Sequence, residues 1–167
     1  AEDRRHTAMR ADGARADWRA LQAISQGVPG NLALRCYYYR AMLDQERERA
    51  LDAARDLYLS GSSRPDTCDP LFAALEQAGQ LNDELIWQRM QLAYKSNGPG
   101  MMRYLRSELS SQAYLDKAAQ LLNLYQRPAD VRLLNAGALP DGTLVAIMER
   151  LARKDPNRAW QLLPVLA

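Results

Sequence analysis

The sequence is poor in the residues on which most catalysis and metal binding depend. It has one histidine, His6, two cysteines, Cys36 and Cys68, and one phenylalanine, Phe72. Two cysteines and His6 at these spacings offer too few ligands for a metal site, so no metal or other cofactor is expected. His6 lies near a terminus and reads as a solvated side chain. No apolar run approaches the ~18–20 residues that a membrane-spanning helix needs. The opening Ala1-Glu2-Asp3-Arg4-Arg5 is polar and helix-forming, unlike a secretory signal. Basic and acidic residues nearly balance, 11 against 9 through Arg64 and 11 against 11 after it. That lacks the basic excess of a nucleic-acid footprint. Gly98-Pro99-Gly100 has neither the preceding strand nor the following Lys-Ser/Thr of a phosphate loop. Sustained period-2 alternation is missing too, which excludes strands.

What remains is helix. The composition is ordinary for a globular chain, with 47% hydrophobic and 25% charged residues, and 167 residues suffice for one core. Breakers recur at Gly27-Val28-Pro29-Gly30, Ser60 to Asp69, Gly79, Asn97 to Gly100, Arg127-Pro128, Gly137 to Gly142 and Lys154-Asp155-Pro156. Several open the next helix. Asp69-Pro70 and Asp155-Pro156 place an N-cap carboxylate before a proline. Asn82 precedes Asp83 and Glu84, which suit the positive end of a helix dipole. Three apolar stripes follow helical spacing: Leu85, Ile86, Met90, Ala93 and Tyr94; Tyr114, Ala118, Leu121, Leu122 and Tyr125; Leu144, Val145, Ile147, Met148 and Leu151. Short turns between such helices force antiparallel αα-hairpins, about ten or eleven helices in all. A hairpin takes ~30 residues, near the TPR period, and Leu34 to Leu59 has TPR-like small and aromatic placements. The expectation is an all-α, TPR-like solenoid over residues 1–167, each hairpin burying its stripe on its neighbours. The apolar end, Leu162 to Ala167, reads as packing on something that follows, so the chain reads as a fragment.

Few residues suggest chemistry. A sugar-cleaving site needs a carboxylic acid in a cleft. Glu108 comes nearest to a Glu-Ser dipeptide, as Glu108-Leu109-Ser110, but it reads as a surface residue at a helix end. Tyr37, Tyr38 and Tyr39 are consecutive on one helix and so spread over roughly 200° of its surface. Packing between hairpins is expected for them, with sugar stacking as the functional alternative. Trp18, Trp87 and Trp160 lie close to apolar stripes and read as packing residues. Arginine supplies 19 of the 22 basic residues. Arg103 and Arg106, with Arg127, Arg132, Arg150, Arg153 and Arg158, either sit on a solvated outer face or line a concave one and bind carboxylates. Cys36 and Cys68 fit either a bridge across a helix pair or two buried thiols.

One segment has a recognisable pattern. It runs Cys36-Tyr37-Tyr38-Tyr39, then Leu57-Tyr58-Leu59-Ser60-Gly61-Ser62-Ser63-Arg64-Pro65, then Cys68-Asp69-Pro70-Leu71-Phe72. It resembles the helical, non-catalytic N-terminal region of the periplasmic soluble lytic murein transglycosylases. That pattern has Leu-Trp-Leu, a small hydroxyl residue, Gly, Ser-x-Pro and Cys-Asp-x-Leu-Phe; Tyr58 stands where the tryptophan falls. The resemblance is strongest from Asn31 to Gly79, weaker at Ala16-Asp17-Trp18-Arg19-Ala20-Leu21, and beyond Leu81 is one of helical style alone. It implies a Cys36–Cys68 disulfide and a periplasmic location. Closing that loop stabilises by roughly 3–4 kcal/mol. The resemblance further implies part of a larger ring-shaped domain that holds peptidoglycan glycan strands. The bond-cutting residues then lie in a separate lysozyme-like domain of the same polypeptide, which cleaves the MurNAc–GlcNAc link and leaves a 1,6-anhydro end. Tyr37, Tyr38, Tyr39, Arg103 and Arg106 are the candidate contacts with glycan or peptide stem, and no catalytic residue is expected within the chain. A TPR-like adaptor gripping a partner protein is the competing reading.

Overall fold

The computed structural model describes residues 23–24, 27–135 and 137–166. His6, Trp18 and the segment around it lie outside the described residues. The described residues hold eight α-helices and two 3-10 segments, with no strand among them. They divide into two compact units. The first runs to Leu59 and resumes from Ser63 to Leu81; the second comprises Ser60–Ser62 and the chain from Asn82 onward.

In the first unit α1 spans Leu32–Met42, α2 Arg47–Tyr58 and α3 Asp69–Gln77, with a 3-10 turn at Asp66–Cys68. The Asn31 carboxamide caps α1 by accepting from the Leu34 N–H at 3.1 Å. On α2 the buried residues are Ala50, Leu51, Ala54, Leu57 and Tyr58, the spacing of one core-facing stripe. Small alanines on that stripe let the neighbouring helix approach closely. α3 begins at Asp69 with Pro70 in its first turn, and Cys68 rather than Asp69 holds the N-cap position, without a side-chain capping bond. The 3-10 turn ending at Cys68 supplies the entry instead. Gly79 ends the unit's last helix at φ +72°. Its N–H donates to Glu76 O at 2.9 Å, and the Gln80 N–H donates to Leu75 O at 3.0 Å, the pair of bonds that closes a Schellman motif.

The second unit contains α4 Asp83–Lys95, α5 Pro99–Glu108, α6 Gln112–Gln126, α7 Asp141–Lys154 and α8 Pro156–Leu166, with a 3-10 segment at Pro128–Leu133. Asn82 caps α4 through the Leu85 N–H at 3.0 Å, and Asp155 caps α8 through the Arg158 N–H at 3.0 Å. α4 ends in a second Schellman motif. Here Asn97 takes the left-handed position at φ 55°, a conformation asparagine tolerates better than other side-chain-bearing residues. α4 is central and packs against α5, α6 and α7. Met90, Tyr94, Met102, Leu105, Leu121, Leu124 and Ile147 form the core, each burial stabilising by roughly 1.5–3 kcal/mol. The third predicted stripe is only half right: Ile147 and Leu151 are buried, but Val145 is 56% exposed.

Candidate functional site

The disulfide is where the first unit is tied. Cys36 on α1 and Cys68 at the end of the 3-10 turn are both fully buried. They are joined at an S–S distance of 2.01 Å with Cα atoms 5.0 Å apart. The bond fixes α1 to the turn that launches α3. Arg40, one helical turn beyond Cys36, reinforces it by donating to Thr67 O at 3.1 Å. Burial lowers the Arg40 pKa from the ordinary arginine value and the nearby Tyr37 opposes that shift. The Thr67 hydroxyl is buried there without a hydrogen-bond partner.

The three tyrosines of α1 are all half-buried, as residues about 100° apart on a helix should be when one face meets the core. Tyr37 packs on the Leu34–Ala41 cluster, with the Arg40 guanidinium carbon 5.2 Å from its ring centroid. Tyr38 and Tyr39 meet edge to face, centroids 5.3 Å apart and planes at 84°. Arg49 on α2 pairs with Glu46 at 3.1 Å, and both side chains are more than half exposed. Arg103 and Arg106 belong to the second unit, where both are exposed on α5. The first unit therefore brings together the cysteines and the tyrosines, while the two arginines stand on another body.

Other arginines have work of a different kind. Arg89 on α4 is 5% exposed and donates to Ser60 O and Ser62 O, both at 3.2 Å. Arg150 lies with its guanidinium carbon 3.5 Å from the Tyr125 ring centroid and donates to Tyr125 O at 2.7 Å. Its guanidinium is thus engaged by Tyr125, a role that neither sequence reading gave it. Arg64 donates to Leu57 O at 2.7 Å, and Arg35 donates to Pro29 O at 3.0 Å. Each of these arginines satisfies backbone carbonyls in a loop or at a helix end, where no intrahelical donor exists. Arg89 went unread in the sequence, although a signal was there. It falls three residues after Ile86 and four after Leu85, on the apolar stripe itself.

Neither Trp87 nor Trp160 supplies a site. Trp87 is buried as expected, but Trp160 is 76% exposed, so its packing role is corrected. Leu144, Val145, Met148, Ala152, Ala159 and Leu163 line a largely apolar trough of about 470 Å³ between α7 and α8, with Glu149 as its one ionisable group. Glu108 is exposed at the end of α5. A general acid on sugar needs its pKa held up, and the described carboxyls that shift move the other way. N–H groups of Ser111 and Ser110 hold Asp83 below the carboxylate range. The Tyr114 hydroxyl, donating to Glu84, does the same there. Among the described residues no group of three or more His, Cys, Asp or Glu could hold a metal ion. No described helix is long and apolar enough to cross a membrane.

Comparison with known proteins adds what the chain is similar to. No protein-family model matches the sequence. The soluble lytic murein transglycosylase of Escherichia coli K12 is 29% identical over 158 residues, 92% of this chain and 24% of that protein. The Salmonella typhimurium protein of the same name is 30% identical over 157 residues, 91% of this chain and 24% of that protein. Two solved structures superpose well. The 70-kDa soluble lytic transglycosylase of E. coli, at 27% identity, covers 98% of this chain and 28% of its own with a TM-score of 0.74. An inactive variant of lytic transglycosylase Slt from Pseudomonas aeruginosa, at 25% identity, covers 96% and 26% with a TM-score of 0.81. The chain is thus homologous, over about nine-tenths of its own length and about a quarter of theirs, to the soluble lytic murein transglycosylases.

Proposed function

We propose that the chain is a non-catalytic helical portion of a soluble lytic transglycosylase, part of a larger ring-shaped superhelix that holds peptidoglycan strands. The observation that carries this reading is the extent of the match, 92% of this chain against 24% of the relative. A match of that kind is what a portion of a longer polypeptide would give, and on this reading the bond-cutting machinery lies elsewhere in it. In that polypeptide a lysozyme-like domain cleaves the MurNAc–GlcNAc link and forms the 1,6-anhydro end. The helical portion contributes position, which is worth rate because a polymer misplaced relative to its acid reacts slowly. A fully buried disulfide supports an oxidising compartment, the bacterial periplasm. On this reading Tyr37, Tyr38, Tyr39, Arg103 and Arg106 are candidate contacts for glycan or stem peptide.

The test is incubation of the purified chain with murein sacculi. The chain should sediment with the sacculi and release no anhydro-muropeptides. Release of those products would locate catalysis within the chain. Failure to sediment, together with capture of a discrete protein partner, would replace the scaffold with an adaptor.

A further inference from the structure

Asn97-Gly98 is the one asparagine–glycine pair in the sequence. Such a pair is chemically unstable in an open chain. The Gly98 backbone nitrogen attacks the Asn97 side-chain carbonyl and closes a cyclic imide, because glycine has no side chain to obstruct the approach. The other five asparagines precede Leu32, Asp83, Leu124, Ala136 and Arg158, each of which carries one. In the fold the pair completes the cap that ends α4. Asn97 is exposed, at φ 55°. Its N–H donates to Tyr94 O at 3.1 Å, and the Gly98 N–H donates to Ala93 O at 2.9 Å. The attacking nitrogen must shed that hydrogen, so the second bond opposes the reaction directly. Arg150 restrains the carboxamide by donating to Asn97 Oδ1 at 3.4 Å, and Arg150 is itself held against Tyr125. One turn thus offers both the solvent access that the reaction needs and the lock that stops it.

We propose that Asn97 is a deamidation site gated by the C-terminal cap of α4. The inference goes beyond the peptidoglycan reading and does not depend on it. When the cap opens, the Gly98 N–H gives its proton to solvent. A bond forms between Gly98 N and Asn97 Cγ. The Cγ–Nδ2 bond breaks, and its nitrogen takes up a proton and leaves as ammonia. Water then opens the imide. Cleavage at Cγ gives aspartate and cleavage at the main-chain carbonyl gives isoaspartate, with no change of oxidation state. The two products differ in what they do to the fold. Aspartate keeps the main chain and sets a carboxylate against Arg150, a stronger pair than the carboxamide makes. Isoaspartate adds a methylene to the main chain. The bond from the Gly98 N–H back to Ala93 O then no longer closes the Schellman motif, and α5, which starts at Pro99, loses its fixed entry.

The test follows the tryptic peptide Ser96–Arg103 by mass spectrometry. The 167-residue chain is first incubated in mildly alkaline buffer, with and without denaturing urea. Exchange of NH for O on Asn97 marks the reaction, and electron-transfer fragmentation separates the two products. In urea Asn97 should convert faster than any other asparagine. In the folded chain it should convert at least about tenfold more slowly, by the same factor that protects the Gly98 amide from hydrogen exchange, since both report one opening. The isoaspartyl fraction, isolated by chromatography, should lose that protection, while Asn97→Asp should keep it. Equal conversion in folded and unfolded chain, with the Gly98 amide protected, would overturn the gate. An unfolded chain in which Asn97 converts no faster than the other asparagines would overturn the site.

Discussion

The two units solve the same problem by different means. In the first, α1, α2 and α3 have only 11, 12 and 9 residues, and a covalent bond joins the first to the turn before the third. In the second the helices run to 15 residues, and buried polar side chains take the place of the covalent tie. Tyr94, Arg89 and Thr143 are all within 5% of full burial, and each reaches across to another segment. Short helices cannot hold themselves together in water, and small bodies bury too little surface to spare a staple. Where length and core allow, side chains that satisfy stranded carbonyls do the tying. The contrast predicts that the first unit fails through its bridge and the second through its polar clasps.

The largest effect should come from the bridge. Replacing Cys36 and Cys68 together with serine should cost about 3–4 kcal/mol. Hydrogen exchange should find it locally, with amides of α1 to α3 losing protection while those of α4 to α6 keep theirs. Equal loss in both units would mean they unfold as one and would break the comparison. Next comes Arg89. Arg89→Met strips the donors from Ser60 O and Ser62 O and should cost roughly 2–3 kcal/mol in urea unfolding. Arg89→Lys should recover little of it, because a single ammonium lacks the planar fork that serves two carbonyls at once.

The same clasp explains a glycine. A Cβ on Gly61 would fall 2.4 Å from Leu92 O and 2.2 Å from Ser96 Oγ. Gly61→Ala should therefore cost about 1–3 kcal/mol as overpacking. Ser96→Ala in the same chain should return only a small part, since the Leu92 carbonyl is backbone and stays. Full recovery would mean that the hydroxyl, and not the close backbone approach, sets the need for glycine.

How much of this could be read from the chain depends on the range of the interaction. The caps at Asn82 and Asp155, the turns at Gly79 and Asn97 and the stripe of α4 are local, so residue identity and spacing reveal them. Cysteine pairing came only with the resemblance, since spacing alone left thiols open. Long-range polar contacts left fainter traces. Excess arginine suggested ligands, yet Arg40, Arg64, Arg89 and Arg150 each donate to a carbonyl far along the chain or past a helix end. Trp160 and Val145 obeyed helical spacing and still face outward, because periodicity assigns a face without naming what covers it. Of the candidate contacts, the tyrosine run was legible as a cluster, because consecutive residues of one helix stay within one turn.

The smallest effect tests the clasp at its most specific point. Leu124 O, near the end of α6, would ordinarily accept from the residue four positions on. That residue is Pro128, which has no N–H. The Tyr94 hydroxyl supplies the missing donor at 2.9 Å. Tyr94→Phe keeps the ring and its edge-to-face contact with Tyr125 but strands the carbonyl, for a cost of about 1 kcal/mol at neutral pH. Burial also raises the Tyr94 pKa to about 12. The unfolded chain ionises this phenol near the ordinary value of 10 while the fold keeps it neutral. Its share of stability is thus whole below that value and drains as the solution is made more alkaline, up to about 12. The difference in unfolding free energy between wild type and Tyr94→Phe should shrink and then reverse over that interval. Two curves that stay parallel would show the phenol to be solvated, and Arg89 and Thr143 would then be left as the polar clasps of the second unit.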